Sequence, residues 1–194
     1  MTVILADVLG YCMGVRRAVE SAIASIDKAN DVYTLGPLIH NKTALNSLEN
    51  KGLKVLNENK AEDAKIGSTV IIRAHGVPPS VNEILKKREC TIINATCPRV
   101  TASQKNAAHY ASMNYTVILA GDSNHGEVIG IAGYAGNKFY LVQDSEDAKK
   151  LIPPEDADEN AILLSQTTFS PQEFEKIAEI IKEKYKNLKV MNTI

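Results

Sequence analysis

Ile92-Ile93-Asn94-Ala95-Thr96-Cys97-Pro98-Arg99-Val100 is the stretch whose reading decides the fold. Ile92, Ile93 and Ala95 read as the end of a buried strand. Cys97 stands where the chain leaves the sheet. Pro98 follows at the first position of a helix, where its missing N–H costs nothing. A cysteine at a strand end facing a helix N-terminus sits in a positive field that favours thiolate, the metal-binding form. The bland alternative is a small buried hydrophobe.

Working outward, short β-rich runs alternate with helical patterns along the whole chain. Strands are expected at 2–6, 31–35, 53–56, 68–73, 91–94, 115–120, 138–142, 161–165 and 188–191. A first helix carries Val15, Val19, Ile23 and Ile26 on one face. Further helices are expected at 41–51 (stopped by Gly52), 79–88, 98–112, 127–135, 145–151 and 171–186, the last with Phe174, Ile177, Ala178, Ile181 and Tyr185 inward. Strands alternating with helices imply parallel sheets joined by right-handed crossovers. Such α/β sheets bind ligands at the carboxyl ends of their strands.

The two halves resemble each other. Val32–Leu35 runs into Gly36-Pro37-Leu38-Ile39-His40, and Val117–Ala120 runs into Gly121-Asp122-Ser123-Asn124-His125. Each histidine lies four residues beyond its glycine, before a helix and another short strand. The run ending in Arg73-Ala74-His75-Gly76 is matched by the one ending in Ser165-Gln166-Thr167-Thr168. Two similar small parallel-sheet units are therefore expected, at residues 1–97 and 98–194. Cys12, before the first helix, repeats as Cys97 after one unit. A third equivalent position would follow Ile194, where the given sequence stops, so a third cysteine of this kind is expected to be missing. Cysteines at repeated strand ends suggest a metal centre where the sheets adjoin.

Composition narrows the class. The 194 residues carry a net charge of −1, no tryptophan and 5% aromatics, which argues against a nucleic-acid or membrane-surface partner. No run is long enough to span a membrane. Three widely spaced cysteines argue against a disulfide framework and for a reducing, cytoplasmic setting.

Three of the four histidines, His40, His75 and His125, stand in strand-end loops. Their spacing suits an anionic substrate better than zinc: imidazoles donate to phosphate oxygens and helix N-termini add backbone donors. Arg73 either strengthens that site or points into the structure. His109 falls inside a helix, and Cys90 reads as structural. Glu127 is either a first-turn acid favoured by the helix dipole or a proton donor in a partly dry site. Thr167 and Thr168 offer hydroxyls for Glu127 or substrate, unless Thr168 caps the last helix.

Six ordered motifs run through nearly the whole chain: Gly10-Tyr11-Cys12-Met13-Gly14-Val15-Arg16-Arg17-Ala18, Gly36-Pro37-Leu38-Ile39-His40-Asn41, Arg73-Ala74-His75-Gly76-Val77, Ala95-Thr96-Cys97-Pro98, His125-Gly126-Glu127-Val128-x-Gly130 and Ser165-Gln166-Thr167-Thr168. Together they resemble the LytB-type 4-hydroxy-3-methylbut-2-enyl diphosphate reductases of the non-mevalonate isoprenoid pathway. The resemblance implies three α/β units around a 4Fe-4S cluster held by three cysteines, Cys12 and Cys97 being two of them. It implies that His40, His75 and His125 grip the allylic diphosphate. Glu127 would protonate the departing hydroxyl, with Thr167 and Thr168 ordering the proton relay. The products would be isopentenyl and dimethylallyl diphosphate, and ferredoxin or flavodoxin would donate electrons. Gly126 stands where the family usually has proline, which loosens the turn before Glu127. The third unit would complete the enzyme in cis or as a separate chain. A non-catalytic diphosphate- or metal-binding module is the alternative, but it has no need of the acid and the thiolates together.

Overall fold

The computed structural model describes residues 3–5, 7, 10–29, 31–153 and 160–194. The first half runs α1 (Met13–Ile26), β1 (Val32–Leu35), α2 (Lys42–Asn50), β2 (Leu53–Leu56), a short 3-10 turn (Ala61–Asp63), β3 (Thr69–Ile72), α3 (Pro79–Lys87) and β4 (Thr91–Asn94). The second runs α4 (Pro98–Ser112), β5 (Thr116–Ala120), α5 (Gly126–Ala132), β6 (Phe139–Val142), α6 (Ser145–Lys150), β7 (Asn160–Ser165), α7 (Pro171–Lys184) and β8 (Asn187–Met191). Each half forms a four-stranded, all-parallel sheet, and the strand orders correspond: β2-β1-β3-β4 and β6-β5-β7-β8.

The central strands are apolar without alternation because both faces of each sheet are covered. In the second sheet Val117, Ile118, Leu119, Ile162, Leu163 and Leu164 are all fully buried. One core lies on each side of it, around Phe174, Ile177 and Ile181 of α7 and around Val128 and Ile131 of α5. The first sheet is sandwiched in the same way, by α1 and α2 on one face and α3 on the other. At about 1.5–3 kcal/mol for each buried aliphatic side chain, these four clusters are the main favourable term holding the sheets together.

Two expectations are corrected. Residues 3–5 of the strand expected at 2–6 carry no strand and are exposed, Ile4 at 88%; positions 2 and 6 lie outside the described residues. Apolar residues without a neighbouring ladder do not make a strand, and neither sheet pairs with this segment. The apolar face of α1 is also displaced. Ala18 and Ala22 face the core fully buried, Val19 and Ile26 flank them, and Ile23 is 37% exposed. Small residues let the helix lie close to the sheet, so the larger side chains splay to its sides.

Helix starts follow local chemistry. The Asn41 side chain accepts the Ala44 N–H ahead of α2, and Asp144 accepts that of Asp147 ahead of α6. Ser170, not Thr168, caps α7 by accepting the Glu173 N–H. Its partner acid Glu173 turns instead to the Ser145 N–H and ties α7 to the start of α6.

Candidate active site

In both sheets the order reverses between the first and second central strands, β1/β3 and β5/β7. Loops leaving their carboxyl ends therefore diverge around a crevice. His40 follows β1, His75 follows β3, His125 follows β5 and Thr167 follows β7. The crevice brings the histidines together. The His40 and His75 rings are 6.0 Å apart between centroids, and His75 and His125 meet edge-to-face at 5.0 Å. The cluster thus takes imidazoles from both sheets.

Each imidazole has its own environment. His40 is exposed. His75 is half-buried, and burial, then the Arg73 charge, then His125 and His40 hold its pKa down to about 4. It is therefore neutral at ordinary pH and donates through one ring N–H. His125 caps α5: its Nδ1 accepts the Glu127 N–H at 3.2 Å. That bond leaves Nε2 to carry the proton and act as a donor.

Glu127 sits in the first turn of α5 and is 1% exposed. Thr167 holds it from across the crevice. The Thr167 N–H donates to Oε1 and the Thr167 hydroxyl to Oε2, both at 2.8 Å. A hydroxyl can donate to a carboxylate or accept from a carboxylic acid, so this contact serves either protonation state. Thr168 is exposed, and its Oγ1 accepts from Gln166 Nε2 at 3.0 Å. The structure thus separates the two threonines: Thr167 orients Glu127, and Thr168 lies one step further out.

Cys12 and Cys97 occupy equivalent places as the N-cap residues of α1 and α4. Their backbone angles are similar (φ −59° and −57°), and neither side chain makes a capping hydrogen bond. The first turn of α1 lies against Cys97: a Cβ on Gly14 would sit 3.2 Å from its Sγ. The Cys97 N–H donates to the Ala74 carbonyl at 2.9 Å, which anchors this thiol to the His75 loop. Thiols at helix starts, one of them packed against a first-turn glycine, are of the kind that ligate a cysteine-held cluster. Among the described residues no group of three or more His, Cys, Asp or Glu side chains forms a metal-ligand set. Cys90 is partly buried among Ser68 and the Lys65 and Arg88 carbonyls, in keeping with a structural role. His109 is exposed on α4.

Arg73 turns away from the role of an open anion ligand. Its side chain is buried and donates to Glu58, which lies two residues beyond β2. Sequence reasoning did not find Glu58: the run Asn57-Glu58-Asn59 is an ordinary polar turn with no periodicity to mark it. The ion pair is a wall shared by two concavities. One, of about 420 Å³, is bordered by His40; the other, of about 290 Å³, is lined by apolar residues of α3 and by Ile129.

Fold and site together define a repeated parallel α/β protein with clustered imidazoles, a buried carboxylate and a cysteine at the N-cap position of one helix in each half. Comparison with known proteins gives the family. Residues 3–194 match the LytB protein family model, and the chain belongs to that family. It is 44% identical to 4-hydroxy-3-methylbut-2-enyl diphosphate reductase of Treponema denticola, covering 100% of this chain and 70% of the relative. The enzyme of that name from Caldanaerobacter subterraneus is 38% identical, with 100% and 67% covered. Among solved structures, that of (E)-4-hydroxy-3-methyl-but-2-enyl diphosphate reductase, described as the terminal enzyme of the non-mevalonate pathway, aligns with a TM-score of 0.84 at 38% identity over 99% of this chain and 67% of its own. The Plasmodium falciparum E-1-hydroxy-2-methyl-but-2-enyl-4-diphosphate reductase also gives 0.84, at 31% identity over 94% of this chain and 56% of its own. Among the described residues no helix is long and apolar enough to cross a membrane.

Proposed function

We propose that this chain carries the substrate-gripping and proton-delivering part of a 4-hydroxy-3-methylbut-2-enyl diphosphate reductase, built from units 1–97 and 98–194. The observation that carries the reading is the meeting of His40, His75 and His125 from both sheets beside a Glu127 held by Thr167. The imidazoles donate N–H groups to the diphosphate oxygens, and the neutral His75 does so without adding a buried charge. The fixed tautomer of His125 directs a donor at the anion.

Cys12 and Cys97 would hold two positions of a 4Fe-4S cluster, with a third ligand from a third unit in cis or a separate chain. When bound, the cluster supplies electrons, received from ferredoxin or flavodoxin. The reaction replaces the allylic hydroxyl by hydrogen: two electrons and two protons enter, one water leaves, and isopentenyl or dimethylallyl diphosphate remains. Glu127 delivers the proton that turns the departing hydroxyl into water, and Thr167 keeps both carboxyl oxygens oriented as the proton leaves. Thr168, bonded to Gln166, borders this relay.

The test is anaerobic turnover of 4-hydroxy-3-methylbut-2-enyl diphosphate with a chemical reductant, by the gene product containing this chain. Glu127→Gln keeps the shape and removes the proton. It is expected to lower kcat by about 10²-fold or more while KM changes little. Undiminished kcat in Glu127→Gln would overturn the assignment.

A further inference from the structure

We propose that Arg73 is a positioning residue, one guanidinium that joins the loops carrying His40, His75 and the His125–Glu127 pair and sets their spacing. The inference rests on reading the histidine cluster as a diphosphate site.

Arg73 is 8% exposed and lies two residues before His75. Its Nη2 donates to Glu58 in the loop after β2. Its Nη1 lies over Gly36, four residues before His40: a Cβ there would be 2.9 Å from Nη1, and Gly36 has φ +73°. Its Nη2 also lies over Gly126, between His125 and Glu127, where a Cβ would again be 2.9 Å away. One planar group thus touches each segment bearing a site residue on the histidine side, across both sheets. Gly126, at a position the resemblance associates with proline, provides the room.

The second unit shows that the fold itself does not require a cation here. Leu35 pairs with Leu56 in the first sheet, as Ala120 pairs with Val142 in the second. Thr34 pairs with Ile71, and Ala120 with Ser165. This register makes Gly36 equivalent to Gly121, Glu58 to Asp144 and Arg73 to Gln166. Gln166 covers its glycine in the same way: a Cβ on Gly121 would lie 3.0 Å from its Oε1, which accepts the Asp122 N–H. An amide suffices to close the loop over the glycine. Only the longer, forked guanidinium also spans to a counter-charge and to the other unit.

Arg73→Gln therefore installs the side chain that the second unit uses at the same place. It is examined with Arg73→Lys and Gly126→Ala by calorimetric titration of inorganic pyrophosphate and by imidazole nitrogen NMR spectra at one fixed pH. Arg73→Gln is expected to weaken pyrophosphate binding by about tenfold and to move the signals of both His40 and His125. Arg73→Lys keeps the charge without the fork and is expected not to restore the affinity. Gly126→Ala crowds Nη2 without removing any charge and is expected to move the His125 signals; it carries the test if Arg73→Gln does not fold. Unmoved His40 and His125 signals, or full affinity in Arg73→Lys, would overturn the proposal. Failure of the unsubstituted chain to bind pyrophosphate would defeat the diphosphate reading instead, and the imidazole spectra would still decide the role of Arg73.

Discussion

The glycine–histidine loops after β1 and β5 begin alike and end differently. Gly36 and Gly121 each donate to the strand across the sheet, to Leu56 and Val142 respectively, and each loop reaches a histidine four residues later. In the first loop the helix is capped one residue beyond the histidine, by Asn41, and His40 is left exposed. In the second, the histidine itself is the cap, and His125 is half-buried with its tautomer fixed. A one-residue shift in where the helix begins thus leaves one imidazole exposed outside the cap and makes the other a donor with a fixed tautomer. The residue two beyond each histidine lies in a first turn in both loops, as Lys42 in α2 and as the buried Glu127 in α5. Repetition supplies the scaffold here, and the departures from it supply the chemistry.

That comparison is sharpened first by stability. His125→Ala removes a helix cap and is expected to cost about 1 kcal/mol, whereas His125→Asn, which can cap, should recover most of it. His40→Ala should change stability little, since Asn41 performs the capping in that loop. Thermal or urea unfolding of the three variants checks this; equal losses at both positions would erase the distinction.

A smaller effect separates His75 from its neighbours by pH. Its folded-state pKa, about 4, lies below the ordinary 6.5 because of burial first and the Arg73 charge second. Between those values the unfolded chain binds a proton that the folded chain does not. The stability from this group is therefore fully present above about pH 6.5 and is lost as pH falls toward 4. His75 is only half-buried, so solvent screening keeps the effect modest. Unfolding midpoints of the parent and His75→Gln at pH 7.5 and 5 should show a shallower acid loss in the variant. Identical slopes would remove His75 as the neutral member of the cluster.

Much of this arrangement could be read from the residues. The strand-end positions of His40, His75, His125 and Cys97 were legible because the parallel β/α alternation fixes which ends of the strands share a face. Helix 98–112 and strands 53–56 and 91–94 stand at the expected bounds because Pro98, Gly52 and the short β-branched runs mark their edges. The inward face of α1 was misjudged because apolar periodicity favours Val and Ile, while close packing on the sheet selects Ala18 and Ala22. The Arg73–Glu58 pair was not legible, since it joins residues 15 apart through a polar turn with no local signature. Nor could spacing divide Thr167 from Thr168; only the hydrogen bonds from across the crevice to Glu127 do that.

The central claim is that imidazoles from two sheets act as one diphosphate site. Calorimetric titration of pyrophosphate into the parent chain, His40→Asn, His125→Asn and the double variant tests it most directly. The account predicts about tenfold weaker binding or more for each single variant, with the double variant losing less than the sum because both contact one ligand. Binding unchanged in either single variant, or no pyrophosphate binding by the parent chain, would contradict it.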